Sequence, residues 1–309
     1  MDKIKVFSPG SITNLSCGYD ILGVCLNNRG DEITVTKTAK KGIIIKSNDD
    51  YNISRDINEN VAGIAAQALL KDISTEFGFE IEIKKGIKPG SGIGSSAASS
   101  AGTVFAINQL LDSPFSQFDL IKFSMEGEKF VSDSYHADNV APIILGGITL
   151  VRSINEIDVI NLPPPKSLEV IIIRPNIELK TSDSRKVVKK KIEIEKMVKQ
   201  SANLGSFVSS LYTEDFDLMS RSIVDFIAEP NRRILIPEFD NLIKISKING
   251  AIASGISGSG PSIFSLSNDS IVSKKILKAT TDHYDKLGIS YDGFISKINT
   301  TGIKILESN

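Results

Sequence analysis

The segment Pro89-Gly90-Ser91-Gly92-Ile93-Gly94-Ser95-Ser96-Ala97-Ala98 constrains the fold more than any other, because a glycine-serine loop runs straight into a helical stretch of small residues. Glycines at 90, 92 and 94 let the backbone turn through positive φ and approach a ligand with no side chain in the way. The following helix leaves its first N–H groups without partners and adds the positive end of its dipole, so the loop is built to receive a polyphosphate. Ser95 and Ser96 add hydroxyls at that end. No Lys-Ser or Lys-Thr follows Gly94, which excludes a Walker A loop. Gly92 to Ala97 matches a dinucleotide fingerprint, but the acidic residue expected about 20 positions on falls at Asp112, inside a helix stop, so the context fails. A tight strand-to-helix turn with no ligand is the plain alternative.

The remainder of the chain bounds what that ligand is. With 309 residues, 41% hydrophobic and 24% charged, the composition is that of an ordinary globular protein of one large or two medium domains. A net charge of −1, spread along the chain, offers no basic groove for nucleic acid and no membrane-surface patch, so the expected ligand is small. No apolar run reaches the roughly 18 residues that span a bilayer, and Met1 to Val6 lacks the apolar core of a signal peptide; a cytoplasmic protein is expected. Cys17 and Cys25 have no second pair and only two histidines beside them, which excludes an obvious zinc site and leaves two unbridged thiols.

Period-two alternation predicts strands at Ile4 to Phe7, Asp31 to Thr36, Gly42 to Lys46 and Phe79 to Lys84. Helices are predicted from Val61 to Leu69, capped by Asn60, from Ala97 to Leu111, and from Asp119 to Val131. Two strands are expected within Ile143 to Val151. Pro163-Pro164-Pro165 can continue neither a helix nor a central strand, and the domain boundary is placed there, giving residues 1–162 and 163–309. Beyond it come a buried strand at Leu168 to Ile173, helices from about Ser182 to Ala228 and at Glu238 to Lys247, and a strand broken by glycines from Gly250 to Leu266. A helix near Val272 to Leu287 and a strand near Gly293 to Asn299 follow. The class is α+β, without regular βαβ alternation. Lys189-Lys190-Lys191 reads as the charged face of an amphipathic helix rather than a nucleic-acid patch.

A second glycine-rich loop, Ser254 to Ser262, suits a cleft in which a triphosphate meets a second substrate between two domains. The polar stretch Ser8 to Gly23 reads as a turn-rich loop after the first strand. These three segments together resemble the three motifs of the GHMP small-molecule kinases, in their order and usual separations. Thr13-Asn14-Leu15 and Gly18-Tyr19-Asp20 are closest to those members that act on L-homoserine. His136-x-Asp138-Asn139-Val140-Ala141-Pro142, Gly146-Gly147 and Glu229-Pro230-x-Arg232 add to the match, which spans essentially the whole chain.

The resemblance implies a ribosomal-S5-like N-terminal ATP-binding domain, a ferredoxin-like C-terminal domain, and transfer of the ATP γ-phosphate to the hydroxyl of L-homoserine in threonine biosynthesis. It implies that Pro89, Gly90, Ser91, Gly92, Ile93, Gly94, Ser95, Ser96, Ala97, Ala98 and Ser99 wrap the triphosphate, with Asn60 near the nucleoside. Ser96 and Glu128 would hold Mg2+. Glu126 and Glu128 project about 200° apart on a helix, so one alone faces the phosphates, and periodicity does not choose between them; the spacing from Glu128 to His136 is the family's. Arg185 and Arg232 would bind the substrate carboxylate, as arginine suits that task, while Asn14, Asp20, Asp138 and Asn139 hold the ammonium and hydroxyl end. The Glu-Pro-x-Arg spacing selects Arg232 over Arg233. Asp138 is a substrate ligand that some relatives would use as a base, and His136 reads as a structural hydrogen-bonder.

Two departures stand out: Ser16-Cys17 replaces the family's usual Gly-Pro, and Tyr19 its common Phe. Cys17 beside the substrate would make the enzyme thiol-sensitive. A sibling kinase for another small alcohol, such as mevalonate or a sugar, and a nucleotide-binding regulator without turnover are the alternatives. The sequence leaves a homodimer open and calls for no nucleic-acid or membrane partner.

Overall fold

Inward-facing apolar residues alternate with half-exposed ones along the first strands, and the sheet they form carries the cleft. The computed structural model describes residues 1–47 and 51–309, and all elements below are among them. Strand β1 (Lys3–Asn14) is followed by β2 (Gly18–Thr38), β3 (Ile43–Ser47), helix α1 (Val61–Lys71) and β4 (Gly78–Lys84). Helices α2 (Ser95–Leu110), α3 (Gln117–Ser132) and α4 (Val140–Leu145) then precede strands β5 (Ile148–Ser153) and β6 (Asp158–Leu162). The sheet runs β11-β1-β2-β4-β3, with β5 and β6 branching from β2, where β11 is the last strand of the chain (Lys304–Ser308). Only the β3–β4 pair is parallel among the described strands.

Helix α2 lies against β1 and β2 and packs on both α1 and α3, which also pack on each other. It is buried on nearly every side, which accounts for its lack of a polar face. Its small residues let it come that close: a Cβ added at Gly102 would lie 2.7 Å from the Ser8 Cβ and 2.8 Å from Ile33. Asn60 caps α1, accepting from the Ala62 and Gly63 amides at 2.9 and 3.4 Å, and Ser116 caps α3 through a reciprocal box with Asp119.

The second lobe begins at β7 (Glu169–Pro175), beyond Pro163–Pro165. It continues through α5 (Thr181–Lys186), α6 (Ile194–Thr213), α7 (Phe216–Ser222), α8 (Glu229–Arg232) and α9 (Phe239–Ile248) to strands β8 (Ala253–Ile256) and β9 (Ile263–Ser267). Helix α10 (Ser270–Leu287) and strand β10 (Tyr291–Lys297) complete it. The sheet order β10-β7-β9-β8, antiparallel at every pair, is the ferredoxin-like arrangement of the α+β class.

Four local expectations change. Residues 143–145 are helical rather than extended: Pro142 sits in the first turn of α4, where its missing N–H is not needed, and burial of Val140, Ile143 and Ile144 overrides their β-branched character. Ser8 to Gly23 is mostly strand, with only residues 15–17 forming the turn between β1 and β2. Lys189 to Lys191 lie between α5 and α6 rather than on a helix, and Ile192, Ile194 and Met197 are 40%, 76% and 42% exposed, so no buried apolar face backs the lysines. Finally, β11 leaves the second lobe and pairs antiparallel with β1 of the first.

Candidate active site

A cleft of about 360 Å³ lies where the lobes meet. The glycine-serine loop forms one wall. Gly90, Gly92 and Gly94 hold φ of 69°, 78° and 71°, as their residue type allows. Gly94 is the N-cap of α2 and offers no side chain to its first turn, so that turn's amides are left for a ligand. Pro89, Gly90, Ser91, Gly92, Gly94, Ser95, Ser96 and Ser99 line the cleft. Ile93, Ala97 and Ala98 do not: their side chains sit in the core at 4%, 0% and 0% exposure, and Ile93 pins the loop by accepting the Ser11 amide through its carbonyl. Any part they take in binding is through the main chain.

Beneath the loop lies a buried ion pair that sequence reasoning missed. Lys85 Nζ pairs with Asp31 and donates to the Ser95 carbonyl at 2.8 Å and Ser99 Oγ at 3.0 Å. Asp31 also accepts the Gly86 and Ile87 amides, at 3.0 and 3.3 Å, and Ser99 Oγ at 2.9 Å. Ser95 Oγ donates to the Ile87 carbonyl. The hydroxyls of Ser95 and Ser99 therefore hold the start of α2 in place. The signal was present: Asp31, Ile33 and Val35 alternate inward on β2, and Ile81 and Ile83 do so on β4, so Lys85 falls at the next inward position across from Asp31.

Glu128 resolves the ambiguity on α3. Its side chain is 3% exposed and lines the cleft, whereas the Glu126 carboxylate turns away to accept the Tyr135 hydroxyl at 3.0 Å. Ile121, Met125 and Glu128 continue one buried stripe of the helix. Oε1 of Glu128 has no hydrogen-bond partner among the described residues, and Ser96 lies beside the carboxylate. Burial raises its pKa above the usual carboxylate range, opposed by His136 and the Ser96 hydroxyl. Asp138, 2% exposed, is raised for the same reason, again opposed by His136, and its Oδ1 is unpartnered among the described residues. His136 lies with these two carboxylates in the cleft, and its Nδ1 has no hydrogen-bond partner among the described residues.

The opposite wall comes from the β1–β2 turn and the second lobe. Arg185 on α5 forms a two-pronged pair with Asp20, at 3.0 and 2.9 Å. Arg232 is 3% exposed; its Nε donates to the Ser184 carbonyl and its Nη1 to the Gly258 carbonyl, both at 3.0 Å, and the guanidinium lies 5.1 Å from the Tyr19 ring centre. Arg233 points outward to Asp240. Asn14 donates to the Gly258 carbonyl at 2.7 Å and accepts the Asp20 amide at 2.9 Å. Asn139 accepts Ser11 Oγ at 3.0 Å. Thr181, unremarked in the sequence, also lines the cleft and meets Ser259 Oγ at 3.3 Å. Asn60 lines the cleft, but its carboxamide is engaged by the α1 cap and by the Ser54 carbonyl. Cys17 is 2% exposed and burial pushes its thiol up to about 12. It is therefore not a reactive thiolate, and the expected thiol sensitivity at this residue is withdrawn.

The second glycine loop folds onto the first. Ser257 Oγ and Ser262 Oγ donate to the Gly92 and Ser91 carbonyls, each at 2.6 Å. It serves chiefly as a buttress, with Gly258 and Ser259 reaching the cleft.

A phosphate-facing loop in one lobe, opposed by paired charges from both, is the architecture of a small-molecule kinase. The family sequence models agree: GHMP kinases N terminal domain matches residues 60–147 and GHMP kinases C terminal matches residues 207–286. A homoserine kinase of Chloroherpeton thalassium is 36% identical over 319 residues, covering 99% of this chain and 100% of the relative. One from Methanococcus maripaludis is 40% identical over 269 residues, covering 86% and 88% of the two chains. The crystal structure of homoserine kinase from Cytophaga hutchinsonii aligns with a TM-score of 0.95 at 42% identity, over 99% of this chain and 98% of that one. The chain belongs to the GHMP kinases, within their homoserine kinase family.

Proposed function

We propose that this protein phosphorylates L-homoserine with ATP, giving O-phospho-L-homoserine and ADP for threonine biosynthesis. The observation that carries this reading is the Asp20–Arg185 pair, with Arg232 behind it, in the same cleft as the uncapped start of α2. An ammonium needs an anionic acceptor and a carboxylate needs a guanidinium, and both are present here. A neutral sugar requires neither group, and mevalonate has no ammonium for Asp20. The relatives named above are homoserine kinases, which points the same way.

In the reaction, the substrate hydroxyl oxygen bonds to the γ-phosphorus, the bond from that phosphorus to the β–γ bridging oxygen breaks, and ADP leaves with the electron pair. The transition state is loose, so alignment and charge neutralisation carry most of the catalysis. The α2 amides and the Gly90–Gly94 turn would receive the triphosphate. Asp138, buried and raised in pKa, would orient the hydroxyl and can take its proton. Mg2+ fits the residues present: Glu128 carries an orphaned buried oxygen beside the Ser96 hydroxyl, a hard-oxygen pair of the kind that binds this ion together with phosphates. When bound, the ion neutralises phosphate charge. Residues 1–162 with the returning β11 would form the nucleotide lobe. A cytoplasmic location suits an ATP-consuming enzyme, and no helix among the described residues is long and apolar enough to cross a membrane.

Phosphorus NMR of purified protein with MgATP and L-homoserine tests the reading. A phosphomonoester signal matching O-phospho-L-homoserine is expected. ATP binding without phosphorylation of L-homoserine overturns it, and a parallel panel of mevalonate and sugars identifies a sibling activity. Asp138→Asn is expected to raise KM for the amino acid; an unchanged KM with kcat collapsed would make Asp138 the base.

A further inference from the structure

The turn that presents Asn14 and Asp20 to the cleft is held in an unusual backbone state. Asn14, Leu15 and Ser16 are consecutive non-glycine residues at φ of 70°, 43° and 55°, followed by Asp20 at 60°. Each left-handed residue with a Cβ costs free energy, and such a run persists only where its surroundings over-determine it. Leu15 is buried in the core and Asn14 is tied to Gly258, but Ser16 and Cys17 need their own restraint.

That restraint comes from the second lobe. Residues 191–199 are all exposed, and the first buried residue of α6 is the polar Gln200, at 7% exposure. Its Nε2 donates to the Ser16 and Cys17 carbonyls at 3.2 and 2.9 Å, across 184 and 183 residues of chain. Its Oε1 accepts the Phe226 amide at 2.9 Å, which fixes the orientation of the carboxamide. The neighbouring Asp225 caps the amides of residues 227–229. Glu229, at the start of the helix that carries Arg232, accepts the Ile256 amide at 3.3 Å and Ser16 Oγ at 3.5 Å. One polar side chain on α6 thus links the strained turn to the segment that places Arg232.

We propose that Gln200 is a positioning residue: it braces the left-handed Asn14–Ser16 turn from the opposite lobe and so sets where Asn14 and Asp20 meet the amino-acid substrate. The link to substrate rests on the function proposed above; the brace itself does not. Gln200→Met keeps the size and removes both donors. Gln200→Glu keeps the acceptor for Phe226 but turns an anion towards two carbonyls. Ser16→Gly removes the Cβ at the left-handed position and so reduces the need for restraint.

Two measurements on the full chain test this. Amide hydrogen exchange over residues 8–23 reads the turn without any ligand, and steady-state kinetics with L-homoserine reads its consequence. Both Gln200 variants are expected to speed exchange in that segment and raise KM for L-homoserine about tenfold, with KM for ATP changed little. Ser16→Gly added to Gln200→Met should recover most of both effects. Unchanged exchange in the Gln200 variants overturns the brace whatever the substrate is. Faster exchange with an unchanged KM, or a lowered melting temperature alone, overturns the positioning role. A wild-type protein inactive on L-homoserine, with exchange still faster in the variants, overturns the substrate reading and supports the brace.

Discussion

The two glycine-rich loops look alike in sequence and do opposite work. Gly90–Gly94 keeps its carbonyls supported and leaves the first turn of α2 uncapped and facing the cleft. In Ser254–Ser262 the groups that could face a ligand are turned to the protein: two hydroxyls hold the first loop, the Gly258 amide donates to the Thr13 carbonyl, and the Gly258 carbonyl takes both Asn14 and Arg232. The element into which each loop runs makes the difference. A helix contributes unpartnered amides and a dipole, whereas strand β9 consumes its backbone groups in pairing. Glycine and serine composition therefore identifies close approach, and the next element decides whether a ligand or the protein does the approaching.

The sharpest way to break the comparison is at the point where the loops touch. A Cβ at Gly92 would lie 2.5 Å from the Gly260 carbonyl oxygen and 2.8 Å from that of Ser257, at a φ of 78°. Gly92→Ala should displace both loops, lowering kcat/KM for ATP on the order of 10³-fold and the melting temperature as well. Loss of stability with kinetics intact would mean that the Gly90–Gly94 turn is no cradle. Glu128→Gln separates the two consequences. It is expected to lower kcat about 10²-fold while raising the melting temperature at pH 8, because it removes a buried carboxylate with an unpartnered oxygen. A fall in both would place Glu128 among the structural groups instead.

On the buttress side the balance reverses. Ser262 is fully buried, and Ser262→Ala leaves the Ser91 carbonyl without its donor. The expected cost is about 1–2 kcal/mol of stability, readable by urea denaturation, with KM for ATP raised only a few-fold and kcat nearly unchanged. A large fall in kcat at wild-type stability would show that this loop acts on the nucleotide directly.

How much of the molecule could be read beforehand depends on the range of each interaction. The phosphate-facing turn and its helix were legible because glycine spacing and small-residue helices are local signals. Glu128 was legible only as a member of a motif, because periodicity left Glu126 equally open; burial in the folded chain aligns Glu128 with Ile121 and Met125. The Asp31–Lys85 pair was hidden in strand alternation that sequence reading applied to apolar residues alone. Strand β11 and the Gln200 contacts depend on partners about 180 residues or more away, and no local pattern announces them. The α4 segment misled because its β-branched residues favour strands, while its burial beside α2 and α3 selects a helix.

The effect confined to the narrowest pH window concerns a carboxyl at the entrance to the buttress loop. Glu229 accepts the Ile256 amide, and burial, with Asp225 adding like charge, pushes its pKa from an ordinary 4.5 up to about 7. Between those two values the folded state keeps a proton that the unfolded chain has released. Stability from this group therefore declines as pH rises through that window and is level above it. Gln cannot titrate, so Glu229→Gln should match the wild type most closely near pH 4.5, gain on it up to about pH 7, and hold a constant advantage beyond. Melting temperatures across that range measure the difference. Parallel curves would show that Glu229 is hydrated in solution, and that the buttress, unlike the cradle with Glu128 and Asp138, holds no carboxyl kept from water.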